Sequence, residues 1–146
     1  MRFRTALAAG AVTVASAALA LVPATGPAAA TTTVCGTGYS YVDSYPLLDP
    51  NSTGPSAGTL YLYYNAGNGQ NCAYTEATEW VGTAKWMGVR VSTDTDDGQD
   101  DTGNYKYYAG PVYVHARHTC VNLWGTVDSP DGRSAYHTDQ NGVHCG

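Results

Sequence analysis

Beyond residue 30 this 146-residue chain contains no isoleucine and no phenylalanine; its large apolar side chains are five Leu, ten Val, one Met, three Trp and twelve Tyr. A core must therefore be built from Val, Tyr and Trp. Rings bring apolar area, but a buried Tyr hydroxyl or Trp N–H needs a partner, so such a core is wetter and harder to close than an aliphatic one. The 116 residues from position 31 onward make one domain, able to bury roughly two-thirds of its unfolded surface. Covalent cross-links are the natural supplement.

Position 30 is a boundary because of what precedes it. Arg2 and Arg4 form a basic start, 6–22 is an apolar run, and Ala28, Ala29 and Ala30 make a small-residue cleavage site. That is the pattern of a secretory signal peptide, expected to be cleaved to leave 31–146 as a single secreted all-β domain. Pro23, Gly26 and Pro27 would stop a helix before it reached the ~20 apolar residues of a membrane span. The remaining chain carries five Lys and Arg against twelve Asp and Glu, a formal charge of −7. A nucleic acid would be repelled, and with no second spanning run no membrane association is expected after leader removal.

Cys35, Cys72, Cys120 and Cys145 are an even set in an exported chain, which points to two disulfides. Three pairings are possible. Cys35 with Cys72 and Cys120 with Cys145 is favoured, since sequence neighbours close quickly and each bridge then tethers one half of the chain, at roughly 3–4 kcal/mol apiece in the chain-entropy model. Structural zinc asks for closely spaced pairs, and no two of these cysteines lie closer than 25 positions.

Punctuation is dense and no long segment has a helical period. Strands are expected at 39–43, 59–64, 72–78, 84–92, 104–108, 112–117, 120–127 and 134–138. Between them fall a turn-rich connection at 46–58, a hairpin turn at 65–71 and an acidic loop at 93–103. Gly110 and Pro111 break the fifth strand from the sixth, and Pro111 belongs at a strand start or an edge because it cannot donate to a ladder. In 84–92, Met87, Val89 and Val91 alternate with Trp86, Gly88 and Arg90, so the first three face inward. About eight short strands at this spacing suit a small antiparallel β-sandwich or a closed barrel.

Cys35-Gly-Thr-Gly-Tyr39, the stretch from Tyr64 and Asn65 through Gly69 to Asn71 and Cys72, the Tyr108-Ala-Gly-Pro-Val112 step and Cys120-Val-Asn-Leu-Trp124-Gly125 follow one another in order. On these stretches the chain resembles the spore-associated protein A family of streptomycetes and related actinobacteria. The likeness covers most of the chain after the leader but not 80–101 or 128–139. It implies an extracytoplasmic protein found with the spore or hyphal surface, and it supplies no catalytic residue to carry over.

A direct search for chemistry starts at Asp94, Asp96, Asp97, Asp100 and Asp101, an oxygen-rich run that is a candidate for calcium. The EF-hand spacing fails, because Gly98 and Tyr105 fall at positions 5 and 12 counted from Asp94. A solvated hairpin tip is the plainer reading. His115 and His118 are three apart on an expected strand and so point to opposite faces; with His137 and His144 they are read as surface or edge residues. Glu76 and Glu79 are the only glutamates, and Glu76 paired with Lys85 or Arg90 across a hairpin is expected before glycoside hydrolysis. No nucleophile elbow or zinc-protease motif occurs, and neither enzymatic activity nor a cofactor is expected.

The aromatic residues are the more informative set. Tyr61 and Tyr63 share one strand face, Tyr113 shares another with His115, and Trp86 and Trp124 lie opposite the aliphatic faces of their strands. Together they would make a ligand platform, because flat rings present apolar area with a polar rim at small entropic cost. The competing reading buries these rings inside a sandwich. The functional expectation is a non-enzymatic secreted protein at the spore or cell surface, structural or glycan-binding, whose partner is a cell-wall or spore-surface polymer or another secreted protein. The alternative is a protein-binding factor such as a protease inhibitor, for which the loop at 74–80 is the candidate contact.

Overall fold

Eight antiparallel strands form two four-stranded sheets in a computed structural model that describes residues 33–51 and 53–146. The expected leader lies outside the described residues. The strands are β1 (Ser40–Leu47), β2 (Gly58–Asn65), β3 (Gln70–Ala77), β4 (Lys85–Ser92), β5 (Gln99–Tyr105), β6 (Tyr108–His115), β7 (Val121–Asp128) and β8 (Ala135–Val143). Sheet one has the order β1-β2-β3-β6 and sheet two the order β5-β4-β7-β8. Of the two architectures expected, the sandwich is the one formed. At one side the backbone pairing with β8 is limited to the isolated bridge between Leu48, just past the end of β1, and His137, so no barrel closes.

The centre of the layer between the sheets is aliphatic, with Tyr45, Trp80, Tyr105 and Tyr136 packed against it only partly buried, which corrects the expectation that Tyr and Trp would share the core equally with Val. Leu47, Leu60, Leu62, Met87, Val89, Val91, Val121 and Val127 are fully buried there, with Ala57, Ala73 and Ala109. Four of the five Leu and six of the ten Val are spent on this layer, while most tyrosines lie on the outside. The physical reason is the close approach of the sheets. A Cβ on Gly125 would come within 2.7 Å of Thr75 Oγ1, leaving little room for rings at that point. On the outer faces a Tyr packs its ring and keeps its hydroxyl near water.

Several boundaries move. The first strand runs on to Leu47, through the beginning of the expected turn-rich connection. The acidic loop shrinks to a hairpin tip at 93–98, because Asp100 and Asp101 belong to β5 and pair with Arg90 and Val89 of β4. Gly110 and Pro111 do not separate two strands. They lie inside β6, joined by a cis peptide, where the register with β3 slips between Ala73 and Thr75. The separating turn is instead at Lys106 and Tyr107. Pro111 does sit on an edge strand.

That edge is covered from the other sheet. Asp101 points from β5 toward β6, where one carboxylate oxygen accepts the Gly110 N–H at 2.7 Å and the other accepts the Tyr105 hydroxyl. Gln99 Oε1 accepts the Tyr113 N–H at 3.0 Å. Backbone donors that would invite another strand are thereby occupied. Lys85 performs a comparable service: 2% exposed, it donates from Nζ to the carbonyls of Trp80, Thr83 and Lys106, each at 3.1 Å. One ammonium thus ties the loop before β4 to the β5–β6 turn.

Candidate functional site

The outer face of sheet one is a tyrosine layer under a covalent clasp. Cys35 is bonded to Cys72, and this holds the segment at 33–39 against the face. Cys35, Cys72 and Tyr74 form a small buried cluster with Val34, Tyr39, Tyr61, Tyr63 and Tyr113 packed on it. Tyr74 stacks on Tyr61 at 5.0 Å and on Tyr63 at 5.9 Å between ring centroids. The Tyr113 hydroxyl donates to the Cys35 carbonyl and the Tyr39 hydroxyl to Gln70 Oε1. Burial pushes the phenols of Tyr74 and Tyr113 above their ordinary value. Tyr61, Tyr63 and Tyr113 are therefore half-buried among other rings, neither sealed between the sheets nor laid open.

The outer face of sheet two is arranged differently. Cross-strand register sets Asp100 of β5, Arg90 of β4, Trp124 of β7 and Asp139 of β8 in a single row across all four strands. These residues, with Thr102 and Asn122, line an open depression of about 580 Å³. The indole of Trp124 lies over β4 at Gly88. A Cβ at that position would come within 2.7 Å of Cζ3 and 2.9 Å of Cη2, so only glycine lets the ring rest on the strand. Among the described residues Arg90 makes no ion pair, leaving its donors available, and neighbouring Asn122 is fixed by bonds to Asp94 and to the Gly142 N–H. Trp86, 46% exposed, stands further along β4 on the same face.

The five residues expected to form one platform are thus divided. Tyr61, Tyr63 and Tyr113 belong to sheet one, Trp86 and Trp124 to sheet two, on opposite sides of the molecule. Pattern reasoning overlooked Arg90, Asp100, Thr102, Asn122 and Asp139 as companions of Trp124. The signal was present in the alternation of β4, where Arg90 follows Gly88 on the side that Met87, Val89 and Val91 leave free.

The other candidates disperse. Asp94 accepts from Asn122 and Asp96 from the Gly98 N–H, Asp97 is exposed at the hairpin tip, Asp100 faces outward and Asp101 is engaged by Gly110 and Tyr105. Among the described residues no group of three or more His, Cys, Asp or Glu is placed to hold a metal ion. His118 lies beyond the end of β6, in a left-handed turn with φ 56°, so it and His115 do not share a strand as expected. His144 packs on the Tyr64 ring, and His137 makes the bridge to Leu48. Glu76 is exposed on β3 and pairs with neither Lys85, which serves carbonyls, nor Arg90; the one ion pair among the described residues joins Arg133 to Asp131. In the 74–80 segment Tyr74 is 7% exposed and the strand continues to Ala77. Cys120 and Cys145 are joined near the end of the described chain.

Comparison with known proteins gives one curated relative, spore-associated protein A of Streptomyces coelicolor. It is 42% identical over 116 residues, a span covering 75% of this chain and 69% of the relative. No protein-family model matches the sequence. No solved structure matches it either.

Proposed function

The chain belongs to the spore-associated protein A family, and from that premise we propose that it is a non-enzymatic module, exported and held at the spore or cell surface, that binds a glycan on the outer face of sheet two. The row Asp100–Arg90–Trp124–Asp139 carries the reading. A pyranose ring has an apolar face of C–H groups that packs on an indole, and a rim of hydroxyls that pairs with carboxylates, amides and guanidinium. The depression supplies one flat ring flanked by all three of these polar groups. A site with a central aromatic surface and a few convergent polar groups is what ligand recognition requires.

Spacing favours binding over hydrolysis. Asp100 and Asp139 stand three strand spacings apart, about 14 Å, whereas glycoside cleavage needs two carboxyls roughly 5–9.5 Å apart. Arg90 and Trp124 lie between them. The two disulfides suit an oxidising, extracytoplasmic setting.

The test is retention of the purified chain on insoluble cell wall, chitin and cellulose. Wild-type protein is expected to sediment with at least one polymer, and Trp124→Ala to lose that retention while keeping its sheet circular dichroism. A Trp86→Ala variant should weaken retention less. Equal retention of wild type and Trp124→Ala would remove this face from the account, and no retention on any polymer would remove the glycan.

A further inference from the structure

Each strand of sheet one contributes one ring to a continuous line of phenols on its outer face. Tyr41 of β1 meets Tyr63 of β2 edge-on at 5.8 Å, Tyr63 stacks on Tyr74 of β3 at 5.9 Å, and Tyr74 meets Tyr108 of β6 at 6.5 Å between centroids. The middle is closed and the ends are open. Tyr74 is 7% exposed, whereas Tyr41 is 57% exposed at the β1 edge and Tyr108 is 45% exposed at the β6 edge, beside Tyr107 at 56%. Packing alone would accept phenylalanine along such a line, yet the chain has twelve Tyr and, after residue 3, no Phe.

A phenol differs from a phenyl ring in giving up an electron and a proton together. The side chains that usually intercept oxidants first, thiols and exposed methionine, are withheld among the described residues: all four cysteines are in disulfides and Met87 is fully buried. We propose that the tyrosine face of sheet one is a site of oxidative cross-linking, through which copies of this chain are joined covalently by dityrosine bonds at Tyr41 and at Tyr107 or Tyr108.

The oxidant is hydrogen peroxide acting through a haem peroxidase. Two tyrosines each lose one electron and the phenolic proton, reducing one peroxide to two waters. The two tyrosyl radicals then join through a carbon–carbon bond ortho to the oxygens, and each ring regains its hydroxyl as the ring hydrogen moves to oxygen. The linked pair is lighter by two hydrogens. Because the reactive ends lie on opposite edges of the sheet, each molecule is bifunctional and the product is a chain of many copies, not a closed pair. This does not depend on the glycan reading, which concerns the other sheet.

The experiment treats the purified, disulfide-bonded protein with a haem peroxidase and hydrogen peroxide, then separates the products under reducing, denaturing conditions. Wild type is expected to give a ladder of covalent oligomers with dityrosine fluorescence, and mass spectrometry should find peptides containing Tyr41 linked to peptides containing Tyr107 or Tyr108. The double variant Tyr107→Phe/Tyr108→Phe preserves the rings and leaves Tyr41 as the single reactive phenol, so it should stop at dimers; Tyr41→Phe should lose every link through the β1 edge, and the triple variant should stay monomeric. Trimers and larger species from Tyr107→Phe/Tyr108→Phe, links mapping to Tyr64 or Tyr136, or a monomeric wild type that gains oxygen on Trp86 would each overturn the proposal.

Discussion

Raising the pH above 10 is expected to unfold this domain in one cooperative step, as the raised phenols of Tyr45, Tyr74, Tyr105 and Tyr113 give up their protons. Tyr45, packed against the inter-sheet core, has its phenol pushed up from 10.0 to about 12, by burial first and by the neighbouring Asp43 carboxylate second. Tyr74 is raised as well, again chiefly by burial. Tyr113 follows through burial and nearby Tyr39, and Tyr105 through the hydrogen bond it donates to Asp101. All four folded values lie above the unfolded one, so the folded state holds more protons as the pH climbs past 10. Their contribution is complete below pH 10 and is lost as the pH passes through the folded values. Lys85 works in the opposite sense: burial lowers its ammonium, so stability gains slightly between its folded value and 10.5. It is one group against four.

The magnitude is large for a domain of this size. At about 1.4 kcal/mol per pKa unit, the two-unit shift of Tyr45 is worth roughly 2–3 kcal/mol, or about 2 after allowing for its partial exposure. With Tyr74 contributing at least as much, the loss is on the order of 5 kcal/mol, against a whole-domain stability of ~5–15 kcal/mol. The assay is the urea midpoint followed by far-ultraviolet circular dichroism as the pH is raised from neutral to about 12, with tyrosinate absorbance recorded on the same samples. The midpoint should hold to pH 10 and then collapse, the last tyrosinates appearing together with loss of the sheet signal. Tyr74→Phe keeps the stacked ring without its titration and should move the collapse to higher pH. Complete tyrosinate absorbance from an intact sheet would refute the reasoning.

Three further outcomes follow from particular contacts. Lys85→Met leaves the carbonyls of Trp80, Thr83 and Lys106 without their shared donor and should cost about 2–4 kcal/mol by urea unfolding, less wherever water reaches them. Asp101→Asn turns an amide N–H toward a donor that the carboxylate had accepted; it should cost about 1–3 kcal/mol and let Tyr105 titrate closer to its ordinary value, read by tyrosinate absorbance. Gly88→Ala drives a methyl into the six-membered ring of Trp124; the fold should survive with an altered near-ultraviolet tryptophan signal, and polymer retention should fall.

The sheet class and the inward face of β4 were legible because one side of that strand is wet and its alternation is clean. Strand β3 was harder to read. From Asn71 to Thr75 it is buried on both sides, by the other sheet on one and by the clasped segment at 33–39 on the other, so no period of two survives. Gly110 and Pro111 looked like an interruption because both residues disfavour regular strands, and only the edge position of β6, with Asp101 accepting the freed Gly110 N–H, makes their presence inside a strand tolerable. The aromatic platform was misjudged for a related reason. Alternation tells which side of its own strand a ring occupies, but it does not tell which sheet the strand joins, and Tyr61 and Trp124 lie in different sheets.

Two glycines explain why the proposed binding surface sits where it does. Gly125 follows Trp124 on β7 and faces the other sheet, where a Cβ would come within 2.7 Å of Thr75 Oγ1 and 3.3 Å of Leu60. The sandwich is therefore narrow directly behind the tryptophan, and its backbone rests on a layer with no space to yield. Gly88, one strand away on the outer surface, removes the side chain that would otherwise hold the indole off the sheet. The ring is thus supported from behind through one glycine and from below through the other. A rigidly seated ring loses little conformational entropy when a ligand packs on it, an advantage that the more numerous tyrosines of sheet one, already packed on one another beneath the Cys35–Cys72 clasp, do not share.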